Sequence, residues 1–128
     1  MYERKIPKDF SCGMAVLMEI IGGKWKPYLI FLINGGTRRP SDIQRAIPLA
    51  TLRVINMQLR ELEFHGVIRR VIYPEVPPKV EYYFTEFGES LLPIVKEMEN
   101  WGIGHLENFR QLMEEKQEGS TISNSSAA

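Results

Sequence analysis

PSDIQRAIPLATLRVINMQLRELEFHG, Pro40 to Gly66, decides the fold, together with VIRRVIYPEVPPKVEYYFT, Val67 to Thr85, directly behind it. Pro40 to Ile47 suits a short helix, and Pro48 stops it because its ring cannot continue the hydrogen-bond ladder. Leu49-Ala50 is a tight connection. Thr51 can then cap a second helix, carried by Leu52, Ile55, Leu59 and Leu62 as far as Gly66. Two helices joined by so short a turn, the second with a basic outer face, form a helix-turn-helix. The β-branched run Val67 to Tyr73 predicts a strand. Val80 to Thr85 predicts its antiparallel partner, and PEVPPK is a stiff tip too long for a two-residue turn. That hairpin has the shape of a wing.

Outward from this centre, Met14, Leu17, Met18 and Ile21 recur at helical spacing and predict a first helix from Gly13 to Ile21. Gly22-Gly23 closes it, glycine being tolerant of the left-handed conformation after a helix. A second helix is expected from Trp25 to Ile33, with Pro27 in its first turn, where a missing N–H costs little, and Gly35-Gly36 behind it. Trp25 and Tyr28 are expected as core anchors. On the other side of the wing, Thr85 caps a helix bearing Leu91, Leu92, Val95, Met98, Leu106, Phe109 and Met113, and Pro93 should kink it or mark a break. The expected organisation is an arm over residues 1–11, one winged domain with its dimer helices over 12–117, and a disordered tail over 118–128, where GSTISNSSAA has too little apolar content to pack. The fold class is mainly α with a small β-hairpin wing.

IGGKWK (Ile21 to Lys26), LRELE (Leu59 to Glu63) followed by HGVIRR, YPEVPPKVEY (Tyr73 to Tyr82) and TEFGESLLP (Thr85 to Pro93) together resemble the HxlR-type family of bacterial winged-helix regulators, relatives of the MarR-like proteins. The resemblance spans roughly Cys12 to Gly102. It implies a homodimeric transcription factor in which Leu52 to His65 enters the major groove. The wing, Tyr73 to Tyr82, would touch the flanking backbone or minor groove, and terminal helices would form the dimer. Pro40, Leu52 and Gly13 depart from the family pattern, but none removes an element.

Opposite the apolar stripe of the recognition helix stand Arg53, Asn56, Met57 and Arg60. Arginine can bond guanine bidentately and asparagine adenine, so Arg53 and Asn56 are the candidate base readers. Met57 could touch a thymine methyl, and Thr51 a phosphate. Taken alone, the pattern also fits a solvated helix face; its place between a short turn and a wing favours DNA. Arg38, Arg39 and Lys79 are candidate phosphate contacts, with ordinary surface charge as the alternative for each. Arg69 and Arg70 fall on opposite faces of one strand, so at most one faces a duplex.

The 128 residues carry no net charge, but charge is segregated. Thr37 to Arg60 holds five bases and one acid, while Glu86 to Glu118 holds eight acids and three bases. The local field matters more to a phosphate than the total. The apolar residues behind Glu86 exceed what a small core can cover, so a homodimer is expected, helped by Met14, Val16 and Leu17. A dimer would match a near-palindromic operator.

Cys12, the lone cysteine, precedes the first helix, where the helix dipole and Arg4, Lys5 and Lys8 could favour a thiolate. The resemblance implies a sensor of oxidants or electrophiles at this position; the plain alternative is a small apolar residue at the dimer seam. One cysteine excludes an internal disulfide framework and fits a reducing cytoplasm. There is no signal core, no membrane-length apolar run, no zinc-ligand cluster and no cofactor motif. An enzyme using Cys12 would need His65 or His105 as its base and has no supporting motif. A winged helix that binds protein instead of DNA would predict a recognition face without net positive charge.

Overall fold

The computed structural model describes the backbone of residues 10–127 and the side chains of residues 10–119. The expected arm, with Arg4, Lys5 and Lys8, lies almost wholly outside that range. The described residues form two units, divided between Leu92 and Pro93.

The first unit contains α1 (Gly13–Ile21), α2 (Lys26–Asn34), α3 (Pro40–Ala46), α4 (Leu52–Phe64), β1 (Ile68–Tyr73), β2 (Lys79–Phe84) and α5 (Glu86–Glu89). Its core is Leu29, Ile30 and Ile33 of α2, Ile43 of α3, Ile55, Leu59 and Leu62 of α4, and Val67, Ile68 and Tyr82 of the wing, all at most 2% exposed. Each aliphatic side chain of this kind removed from water contributes about 1.5–3 kcal/mol. Helix α4 touches α2, α3 and β1 and is the hub of the unit. Leu52 was expected in its apolar stripe but is 45% exposed, because the first residue of α4 projects past the core. Tyr28 is likewise no core anchor: it is 47% exposed and stands edge-on to Phe31.

Local signals set the element ends. The Thr51 Oγ1 accepts the Val54 N–H at 3.2 Å and caps α4. Pro27 and Pro40 sit in the first turns of α2 and α3. The Gly22 backbone is at φ −71°, not left-handed, which corrects the expected reason for glycine there. The reason is space: a Cβ would strike the Met18 carbonyl oxygen, which accepts the Gly22 N–H. The wing is a two-stranded antiparallel ribbon that pairs Ile68 with Phe84 and Tyr73 with Lys79. At its base, Thr85 Oγ1 donates to the Gly66 and Val67 carbonyls and accepts the Gly88 N–H at 2.9 Å. A Cβ on Gly88 would overlap the Val67 carbonyl, so glycine lets α5 sit directly on the start of β1.

Two polar contacts pin the GGKWK segment to α4. The Lys26 ammonium, its side chain 3% exposed, lies 2.5 Å from the Glu61 carboxylate. The Trp25 N–H donates to Gln58 Oε1 at 3.0 Å. The Glu61 carboxylate explains why a lysine is buried at the start of α2, a position that a hydrophobic reading leaves unexplained.

The second unit is the long helix α6 (Leu92–Ala127). The break expected at Pro93 is present, since α5 ends at Glu89 and α6 starts afresh at Leu92 with Pro93 in its first turn. The backbone stays helical past Glu118 to Ala127, where a disordered tail was expected; an established helix gains one hydrogen bond for each residue added. Ile94, Met98, Trp101, Leu106, Phe109 and Leu112 are all more than 40% exposed and recur at three- to five-residue spacing. The Trp101 ring stacks on His105 with 4.1 Å between centroids.

Candidate nucleic-acid interface

Helix α4 is amphipathic, and its outward face carries the predicted readers. Arg53, Met57 and Arg60 are exposed and Asn56 is half-buried, while Ile55, Gln58 and Leu59 point inward. Thr51 is exposed at the helix start, with its hydroxyl oxygen engaged by the Val54 N–H. Neither Arg53 nor Arg60 forms a salt bridge among the described residues, so both guanidinium groups are available to an incoming anion.

The first turn of α3, the face of α4 and the wing enclose a groove of about 590 Å³. Arg39, Asn56, Arg60, Arg70, Lys79 and Tyr82 are among its lining residues, so the groove brings together four of the predicted site residues. Strand alternation in the sequence leaves open which of Arg69 and Arg70 faces a duplex. Its pairing with Tyr82 across the ribbon places it on the groove side, and its guanidinium is 3.8 Å from Glu63. Burial and the nearby Glu63 carboxylate raise the Tyr82 hydroxyl above its ordinary value, so it remains a neutral donor. Cations and donors converging on one groove suit a phosphodiester backbone.

Three of the candidate cations have partners within the chain. The Arg38 carbonyl accepts the Tyr82 N–H at 3.0 Å, and its guanidinium donates back to the Tyr82 carbonyl at 3.2 Å. Arg38 thus extends the ribbon by one residue along the free edge of β2, and its guanidinium covers the Tyr83 ring at 4.4 Å. This work is structural, and Arg38 gives way to Arg70 among the groove residues. Arg39 lies 3.7 Å and Lys79 2.9 Å from Glu81. Lys79 is at the start of β2, over the Tyr73 ring, and not at the free tip.

Cys12 is exposed at the N-terminal boundary of α1, where its carbonyl accepts the Val16 N–H at 3.3 Å. Among the described residues no group of three or more histidine, cysteine, aspartate or glutamate side chains could hold a metal ion. No helix among them is long and apolar enough to cross a membrane.

A short turn between two helices, a capped second helix with exposed arginines and a paired wing together define a winged helix-turn-helix. Comparison with known proteins agrees. The sequence signature described as "HxlR-like helix-turn-helix" matches residues 20–110. The chain belongs to the HxlR-like family. Its relatives include the uncharacterized HTH-type transcriptional regulator YkvN of Bacillus subtilis, 48% identical over 95 residues, which are 74% of this chain and 80% of that protein. Among solved structures, the redox regulator HypR in its reduced form superposes with a TM-score of 0.72 at 40% identity, over 78% of this chain and 99% of that one. The putative HTH-type regulator ytcD superposes with a TM-score of 0.70 at 41% identity, over 75% and 98%. This HxlR-like chain is therefore a DNA-binding transcriptional regulator, as its sequence led one to expect.

Proposed function

We propose that this HxlR-like regulator seats α4 in the major groove of a near-palindromic operator, one copy per half-site, and rests each wing on the flanking backbone. The observation that carries the reading is the pair of unbridged arginines, Arg53 and Arg60, on the same α4 face as Asn56, beside a cation-lined groove. Arg53 and Asn56 read bases, Met57 packs on a thymine methyl, and Thr51 adds a phosphate contact. Arg39, Arg60, Arg70 and Lys79 bind phosphates in the groove. Such a regulator works beside the chromosome in the cytoplasm. The regulators among its relatives, with no motif for catalysis in this sequence, support binding as its whole activity.

Selection of bound duplexes from a random pool tests this. Wild-type protein should enrich a symmetric site. Arg53→Ala should lose preference at one base pair per half-site and cost about 1–3 kcal/mol on the enriched sequence. An unchanged preference would remove Arg53 from the reading face.

The exposed thiol of Cys12 supports a second element, redox control, since the structurally similar HypR is a redox regulator. In this reading oxidation or alkylation of Cys12 alters the dimer and with it operator affinity. Peroxide treatment should change the affinity of wild-type protein at least severalfold and leave Cys12→Ser unaffected. Equal responses of the two proteins would refute it.

A further inference from the structure

Glu81 contacts two of the cations that line the groove, Arg39 and Lys79. Lys79, Glu81 and Tyr83 alternate onto one face of β2, opposite Tyr73, Val71 and Arg69 of β1. On that face the Glu81 carboxylate is bound on every side. One oxygen lies 2.9 Å from the Lys79 ammonium and 3.7 Å from the Arg39 guanidinium. The other accepts the Tyr83 hydroxyl at 2.6 Å, and the Tyr73 hydroxyl lies 3.3 Å from that of Tyr83. The Glu81 side chain is only 14% exposed, whereas those of Lys79 and Arg39 are 27% and 48% exposed. Lys79 and Arg39 both line the groove, and Glu81 does not. The carboxylate therefore holds two groove cations from behind.

A carboxylate and a phosphodiester are alternative partners for the same cation. The Tyr83 hydrogen bond, followed by the Lys79 contact, holds the Glu81 carboxyl below its ordinary range, so it is an anion wherever DNA would bind. A cation already neutralised within the protein releases fewer DNA counterions than a free one. We propose that Glu81 is a built-in stand-in for a DNA phosphate, occupying Lys79 and Arg39 until a closely seated duplex displaces it. The sequence-independent share of affinity is thereby held down, and more of the discrimination is left to the bases read by α4. The proposal rests on the groove being the seat of the duplex.

The test is fluorescence anisotropy of the full-length protein with a labelled duplex of about 30 base pairs and arbitrary sequence, over about 50–200 mM salt. Glu81→Gln keeps an oxygen for the Tyr83 hydroxyl and removes the charge. It should bind severalfold tighter at the lowest salt, with a salt slope steeper by about one to two units, at roughly 0.9 per phosphate engaged. Glu114→Gln, which removes one exposed charge from α6, should do markedly less. Lys79→Ala should flatten the slope more when combined with Glu81→Gln than alone. The proposal fails if Glu81→Gln matches Glu114→Gln, or if it weakens binding. If circular dichroism shows Glu81→Gln unfolded, single variants decide: Lys79→Ala and Arg39→Ala should each flatten the slope less than Arg60→Ala, and equal flattening overturns the idea. A wild-type chain that ignores the duplex refutes the seat itself; one that binds it while Glu81→Gln changes nothing refutes only the role of Glu81.

Discussion

Tyr83 shows how much of the wing depends on a single side chain. Its ring lies under the Arg38 guanidinium at 4.4 Å and the Arg69 guanidinium at 5.3 Å, and its hydroxyl donates to Glu81. The hydrogen bond ties the two groups together: the carboxylate is held below its ordinary range, and the phenol is raised well above its own. The sign of the linkage follows. A carboxyl whose folded value is depressed adds stability above its unfolded range, and that contribution fades as pH falls through the folded value. Tyr83→Phe removes the largest cause of the depression while leaving the ring under both arginines. Carbon NMR should then show Glu81 titrating at higher pH than in wild type. The stability lost by Tyr83→Phe should also be greater at neutral pH than in acid. An unmoved Glu81 titration would mean that Lys79 and Arg39 alone set it.

The elements were legible because each obeys a local rule. Thr51, Thr85, Pro27 and Pro40 stand where caps and first turns want them, and the observed helix and strand ends fall within about two residues of those expected, apart from the far end of α6. The exposed face of α4 was legible for the same reason, since helical periodicity separates Arg53, Met57 and Arg60 from Ile55 and Leu59. What stayed hidden depends on contacts distant in sequence. Nothing near Arg38 announces that Tyr82, forty-four residues on, will take its carbonyl and its guanidinium. Nor does α4 show on its own that Gln58 and Glu61 face the GGKWK turn. Arg70 could have been recovered by letting the strand alternation run through to Tyr82 and asking which face meets α4. The charge count was the least reliable guide, because Arg45 pairs with Asp42 at 3.2 Å and Arg38 is engaged in the wing. Of the five bases from Thr37 to Arg60, Arg53 and Arg60 alone lack such engagements among the described residues.

At the scale of the whole molecule, the unexplained quantity is apolar surface. Trp101 and Phe109 of α6 are 67% and 59% exposed, and Leu106 and Leu112 join them on the same helix at 46% and 44%. Apolar residues in such a row leave a continuous face on water, which a single folded chain rarely tolerates. A twofold copy is the economical cover, because an isologous interface buries the same face twice. It also supplies what DNA recognition needs, two reading helices set one turn of duplex apart, about 34–36 Å. Phe109→Glu places a charge on that face at a site where the folded chain has little packing to lose. Sedimentation should find wild-type protein dimeric and Phe109→Glu monomeric, with matching helical content by circular dichroism. Binding to a symmetric operator should fall far more than binding to a single half-site, since the variant loses the second, tethered contact and leaves α4 intact. A Phe109→Glu protein that stays dimeric would move the interface elsewhere. If it were monomeric but still bound the symmetric site as tightly as wild type, pairing and recognition would be separate properties of this chain.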